Sequence, residues 1–190
     1  MAIALKESFE VDAALGDVWR FMLDPRSVAT CLPGATLEDT PDDRTFRGTV
    51  KIRVGAVTAS YRGQVRLTRV DENERAVEML AEGRETGGGT ALGTISSRLR
   101  ALPGGGTEVL TEASVDLSGR IVQVGRGMIE GVARQLFAEF ASRVRARLEA
   151  GAPVETIARE DSVRVLPLIL RAIREWLEKR IRGWFGSAPK

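Results

Sequence analysis

Histidine is absent from the 190-residue chain, and cysteine and tyrosine each occur once. Without an imidazole, no Ser-His or Cys-His nucleophilic pair can be assembled, and most zinc sites lose a usual ligand. No metal site and no catalytic residue is therefore expected. Cys31 has no partner for an intrachain disulfide, which points to a reducing compartment. It stands in an apolar turn with no base in view and reads as a small buried hydrophobe. Long hydrophobic runs are also missing. The longest uncharged apolar run near the C-terminus, Val165 to Leu170, is far too short to cross a bilayer. Met1 to Val11 lacks a basic stretch followed by an apolar one, so an export signal is not expected there. Gly125, Gly127 and Gly131 do not have the spacing of a dinucleotide loop, and no Walker lysine follows, which argues against nucleotide binding.

What is present is organised around Arg120 to Glu149. Apolar residues recur there at every fourth position (Val124, Met128, Val132, Leu136, Phe140, Val144, Leu148), beside a second row of Ile121, Gly125, Ile129, Ala133 and Phe137. That spacing predicts one helix of about eight turns with a broad apolar face. The row winds slowly around the axis, so its natural partner is a twisted sheet. Glycine at 125, 127 and 131 would cost such a helix roughly 0.5–1 kcal/mol each relative to alanine. A flat ligand, a strand crossing closely or a flexible gate would explain them.

The sheet lies upstream. Ile3 to Val11 alternates as a half-buried strand, with Glu7 on the inward side. Asp12 is placed to cap a short helix that runs to Leu23 and buries Leu15, Val18, Trp19 and Met22. Asp24-Pro25 stops it, and Arg26 to Cys31 is read as one more turn before Leu32-Pro33-Gly34. From Ala35 the period is two, with turns at Gly55-Ala56, Asp71 to Glu74, Thr86 to Gly89 and Pro103 to Gly106. The strand before the Thr86 turn is read as Ala76 to Gly83. The expectation is α+β: a curved seven-stranded antiparallel meander wrapped on a long C-terminal helix.

Three segments carry a family resemblance: VDAALGDVWRFMLDPRSVATCLPGA, GTVKIRVGAVTASYRG and LSGRIVQVGRG. They resemble the CoxG family, named for carbon monoxide dehydrogenase, within the SRPBCC helix-grip superfamily that also holds START-domain and Bet v 1-like proteins. The resemblance covers residues 1–150. It implies an accessory protein of a carbon monoxide dehydrogenase-type molybdenum hydroxylase, tied to recruiting that enzyme to the membrane and to respiratory quinone.

The inward strand positions and the facing helix outline a ligand cavity with Trp19, Leu32, Val50, Ile52, Val54, Val57, Tyr61, Met79, Leu117, Gly125, Met128, Val132, Leu136 and Phe140 as its lining. A packed core is the competing reading of the same residues. Glu7 and Tyr61 are the polar groups expected to face inward.

The chain's end differs in character. Residues 151–161 read as a linker and 162–186 as a basic amphipathic helix. Leu166, Ile169, Leu170, Ile173, Trp176, Leu177, Ile181 and Trp184 fall within an arc of about 140° at helical spacing, with Arg171, Arg174, Lys179 and Arg182 opposite. Ser162 to Lys190 holds seven basic and two acidic residues in a chain of net charge +2, so the body is mildly acidic. This pattern fits a helix lying on an anionic membrane surface, and nucleic acid is not an expected partner.

The expected function is therefore a non-catalytic carrier of a hydrophobic ligand, a lipoquinone with menaquinone as first candidate, and no covalent cofactor. It would be cytoplasmic, peripheral on the inner face of the cell membrane. The alternatives are a ligand-free membrane adaptor for the enzyme and a small cyclase or hydrolase of the same superfamily.

Overall fold

The computed structural model describes residues 1–150, and the elements below are those of the described residues. Their order is β1 (Ala2–Val11), α1 (Leu15–Leu23), α2 (Pro25–Cys31), β2 (Ala35–Asp42), β3 (Thr45–Val54), β4 (Val57–Asp71), β5 (Ala76–Glu85), β6 (Thr90–Ala101), β7 (Thr107–Leu117), a 3₁₀ turn (Arg120–Val124) and α3 (Arg126–Glu149). All strand pairs are antiparallel, in the order β1-β7-β6-β5-β4-β3-β2. The six strands from β2 onward form a meander because short turns let each strand pair with the next. β1 joins the far edge, beside β7, with Phe9 opposite Val109.

The single long helix that the spacing predicts is interrupted. Gly125 has φ +90°, a conformation open to glycine at little cost, and it separates the 3₁₀ turn from α3. Gly125 therefore caps the helix from outside. The crossing-strand explanation for Gly125, Gly127 and Gly131 also fails, since a Cβ at any of the three would meet nothing within 4 Å. At the other end, α1 begins at Leu15 with no side-chain cap. Asp12 instead donates its backbone N–H to Glu149 Oε1 at 3.1 Å, fastening β1 to the end of α3. It is Asp24 that caps a helix, accepting from the backbone N–H groups of Arg26 and Ser27 at the start of α2.

The alternation expected along β1 and β3 to β7 holds, and it puts one face of the sheet against α3. Between them lie two separate cores. In the lower one, Phe9, Val11, Val18, Trp19, Phe21, Cys31, Leu99 and Val109 pack on Ala141 and Val144, with Phe137, Phe140 and Leu148 against them. Phe9 meets Phe137 and Phe140 edge-on, ring centroids 5.9 and 6.2 Å away. Arg145 Nε donates to the Glu10 carbonyl at 2.7 Å, and Arg147 Nη1 donates to Thr30 Oγ1 at 2.7 Å. In the upper core Ile3, Val54, Ala59 and Tyr61 pack on Ile121 and Ile129. The 3₁₀ turn thus adds Ile121, which is fully buried, to the upper core.

Candidate ligand-binding site

The stretch between the two cores defines the site. Leu5, Val65, Met79, Ala81, Ile95 and Ala113 lie on the inner face and Leu136 lies on α3, yet they are only half-buried and belong to neither core. Residues facing a helix across a filled interior would be sealed from solvent. Here they are half-buried, so this stretch is less tightly closed than the two cores. The floor is made of small residues: Gly63 pairs with Gly83, and Gly93 with Ala81, all on the inner side. Glu7, inward where its strand period puts it, reaches Arg134 of α3 as an ion pair at 3.5 Å and closes the β1 flank.

A polar pole lies at the upper end. Tyr61 and Glu85 are direct cross-strand partners in the β4–β5 ladder, and both are buried, at 4 % and 6 % exposure. Arg120 Nη2 donates to Glu85 Oε1 at 2.9 Å, with the guanidinium largely in solvent and the carboxylate enclosed. Gly87 leaves room for that arginine, because a Cβ there would lie 2.7 Å from Nη2. The Tyr61 hydroxyl and Glu85 Oε2 are buried and have no hydrogen-bond partner among the described residues. Each unmade bond costs on the order of 1–3 kcal/mol, so a ligand that supplied the missing partner would recover it.

Burial, and secondarily the nearby Glu85 carboxylate, raises the Tyr61 pKa above the usual phenol range. In the unfolded chain the phenol ionises near pH 10. The folded state therefore holds the proton longer, and stability present below that pH is lost as pH rises toward the folded value. The slope is about 1.4 kcal/mol per pH unit for one proton. Thermal midpoints measured from pH 8 upward should fall more steeply in the wild type than in Tyr61→Phe once pH passes about 10; parallel curves would contradict the assignment. Cys31 is buried within the lower core, and burial also raises its thiol pKa, in keeping with a structural role.

The sequence-predicted lining divides into four groups. Met79 and Leu136 lie on the open stretch. Val50, Ile52, Val54, Val57, Tyr61, Leu117 and Val132 belong to the upper core or pack on it. Trp19 and Phe140 belong to the lower core, Trp19 under the Arg75 guanidinium at 5.5 Å, and so line nothing open. Leu32 and Met128 are corrected outright: they are 41 % and 50 % exposed. Leu32 caps the end of α2, and the Met128 sulfur rests against Gly55 at the β3–β4 hairpin. Gly125 is exposed.

Sequence reasoning misses Glu85 and Arg120. Ending β5 at Gly83 leaves Glu85 outside the strand, whereas carrying the inward parity Met79, Ala81, Gly83 two positions further reaches it. Two open depressions, of about 610 and 420 Å³, lie instead on the outer face, among charged and polar residues such as Arg62, Glu82 and Arg84, and Lys6 and Glu112. The predicted membrane-binding residues (Leu166, Ile169, Leu170, Ile173, Trp176, Leu177, Ile181, Trp184, Arg171, Arg174, Lys179 and Arg182), with the 151–161 linker and the 162–186 helix, lie outside the described residues. No helix among the described residues is long and apolar enough to cross a membrane.

A curved antiparallel sheet gripping a C-terminal helix is the helix-grip fold. It is similar to a START superfamily protein from Mycobacterium smegmatis (TM-score 0.56, 13% identity, covering 78% of this chain and 99% of that one). It is also similar to norcoclaurine synthase from Thalictrum flavum (TM-score 0.53, 15% identity, 77% and 88%). A conserved protein from Geobacillus kaustophilus is a third relative in structure (TM-score 0.72, 18% identity, 78% and 97%). No curated protein matches the sequence. Residues 8–149 match the carbon monoxide dehydrogenase CoxG family, and the chain belongs to that family.

Proposed function

We propose that this protein is a non-catalytic carrier. In this reading it holds a hydrophobic ligand between its sheet and α3, and links a carbon monoxide dehydrogenase-type molybdenum hydroxylase to the membrane respiratory chain. Family membership supports an accessory role with that enzyme. The observation that carries the ligand is the half-buried stretch around Met79, Ala81, Ile95 and Leu136 between two closed cores. An elongated apolar molecule is the natural occupant, since burying it there removes apolar area of guest and protein alike from water. A lipoquinone, menaquinone first, is our choice of guest.

Native mass spectrometry of the full chain, purified without detergent, tests this. The expected result is a bound isoprenoid quinone; an empty protein or a non-isoprenoid guest would contradict it. The basic segment at 162–186 is proposed to moor the carrier on the inner face of the cell membrane, on its sequence pattern alone. A chain ending at Gly151 should stay folded but no longer float with anionic liposomes, and unchanged flotation would reject the mooring.

A further inference from the structure

Along β5, four successive inward positions run Met79, Ala81, Gly83, Glu85. They span about 20 Å at strand spacing, and the side chains shrink to nothing before ending in a carboxylate. The track thus starts on the open stretch and finishes at the polar pole. Of the polar atoms there, the Tyr61 hydroxyl has a proton to donate, and Glu85 Oε2 can only accept while its twin oxygen is taken by Arg120. Gly83 keeps the step between them low, for a Cβ on it would stand 3.4 Å from that of Tyr61. A single group that satisfies both must accept one hydrogen bond and donate another. A hydroxyl does this. A carbonyl or an ether accepts from Tyr61 but turns lone pairs toward the carboxylate.

We propose that Tyr61 and Glu85 form a headgroup site for a ring hydroxyl, of the phenol or hydroquinone class, so that the carrier holds the hydroxyl form of its guest more tightly than a carbonyl or ether form. The proposal rests on the carrier reading above. Arg120 positions Glu85 from the solvent side, and Gly87 lets it lie close, while Gly89 lies against the carboxylate itself, where a Cβ would stand 3.1 Å from Oε2. The ring lies over Gly83 and Ala81, and the apolar remainder of the guest runs toward Met79.

The test is fluorescence titration of the full chain with 1-naphthol and with 1-methoxynaphthalene. The ether is the more apolar of the two, so a cavity that is merely greasy binds it better. The site proposed here binds naphthol at least tenfold more tightly. Glu85→Gln keeps the shape but offers an amide donor, and the preference should fall to near unity; Tyr61→Phe removes the donor that either oxygen accepts from and should weaken both probes severalfold. Should Glu85→Gln fail to fold, the wild-type ratio and Tyr61→Phe still decide. Equal binding of both probes by the wild type, or a naphthol preference that survives in both variants, overturns the headgroup site while leaving the carrier intact. Binding of neither probe overturns both.

Discussion

Phe9→Ala is expected to cost about 3–5 kcal/mol of folding stability, read as a shift of the urea midpoint. The size follows from what the ring joins. Phe9 is 4 % exposed and lies on β1, which ends the sheet and pairs with β7 alone. Its ring is the aromatic link from that edge to α3, beside the polar ones at Glu7, Glu10 and Asp12; it touches Phe137 and Phe140 edge-on, and the Arg145 guanidinium covers it at 5.7 Å. Alanine would leave a cavity lined by rigid strand backbone on one side and helix on the other, which cannot collapse. Aromatic edge contacts add about 0.5–1.5 kcal/mol beyond the buried area. A loss below about 1 kcal/mol would mean that the lower core does not hold the helix to the sheet.

The second large effect is on binding. Ala81→Phe should leave the thermal midpoint within a few degrees of wild type while weakening a naphthoquinone or naphthol probe by about a hundredfold or more. Ala81 faces α3 from the middle of the sheet and belongs to neither core. A phenyl ring there enters the space that the guest would occupy. Were that interior packed, the same ring would force neighbours off their rotamers at about 1–3 kcal/mol, and the midpoint would drop instead. The two descriptions therefore differ in which quantity falls, binding for an open interior and stability for a packed one.

Much of this architecture is legible in the residues because it rests on period alone. Alternation along Phe46 to Val54 and Val57 to Leu67 assigns the faces of two strands, and the 55–56 turn joins them in register. Alternation also turns Glu7 inward, where it meets Arg134. Period says which face a residue takes, but not whether the opposing face arrives. Met128 and Ile129 are neighbours on the predicted apolar side, yet Ile129 is sealed and Met128 is half in solvent. Only the tertiary path of α3 decides between them. The break at Gly125 is hidden because the fourfold row of apolar residues continues straight through it; the positive φ that stops the helix leaves no mark on the pattern. The partition of the interior into two cores is likewise invisible, since it depends on the curvature of the sheet. Glu85 is recoverable from parity, lying two residues beyond the predicted strand end, whereas Arg120 needs the Gly87–Gly89 loop to be brought beneath it.

The four methionines offer the most direct test of an open interior between two closed ones. Met22 packs on the lower core, Met79 faces the unfilled stretch, and Met1 and Met128 are exposed. With methyl-labelled methionine in the full chain, titration with 2-methyl-1,4-naphthoquinone should move the Met79 methyl resonance saturably and leave Met22 in place. A Met79 resonance that stays still while the probe binds, or that moves only together with Met22, would contradict a ligand space between the cores.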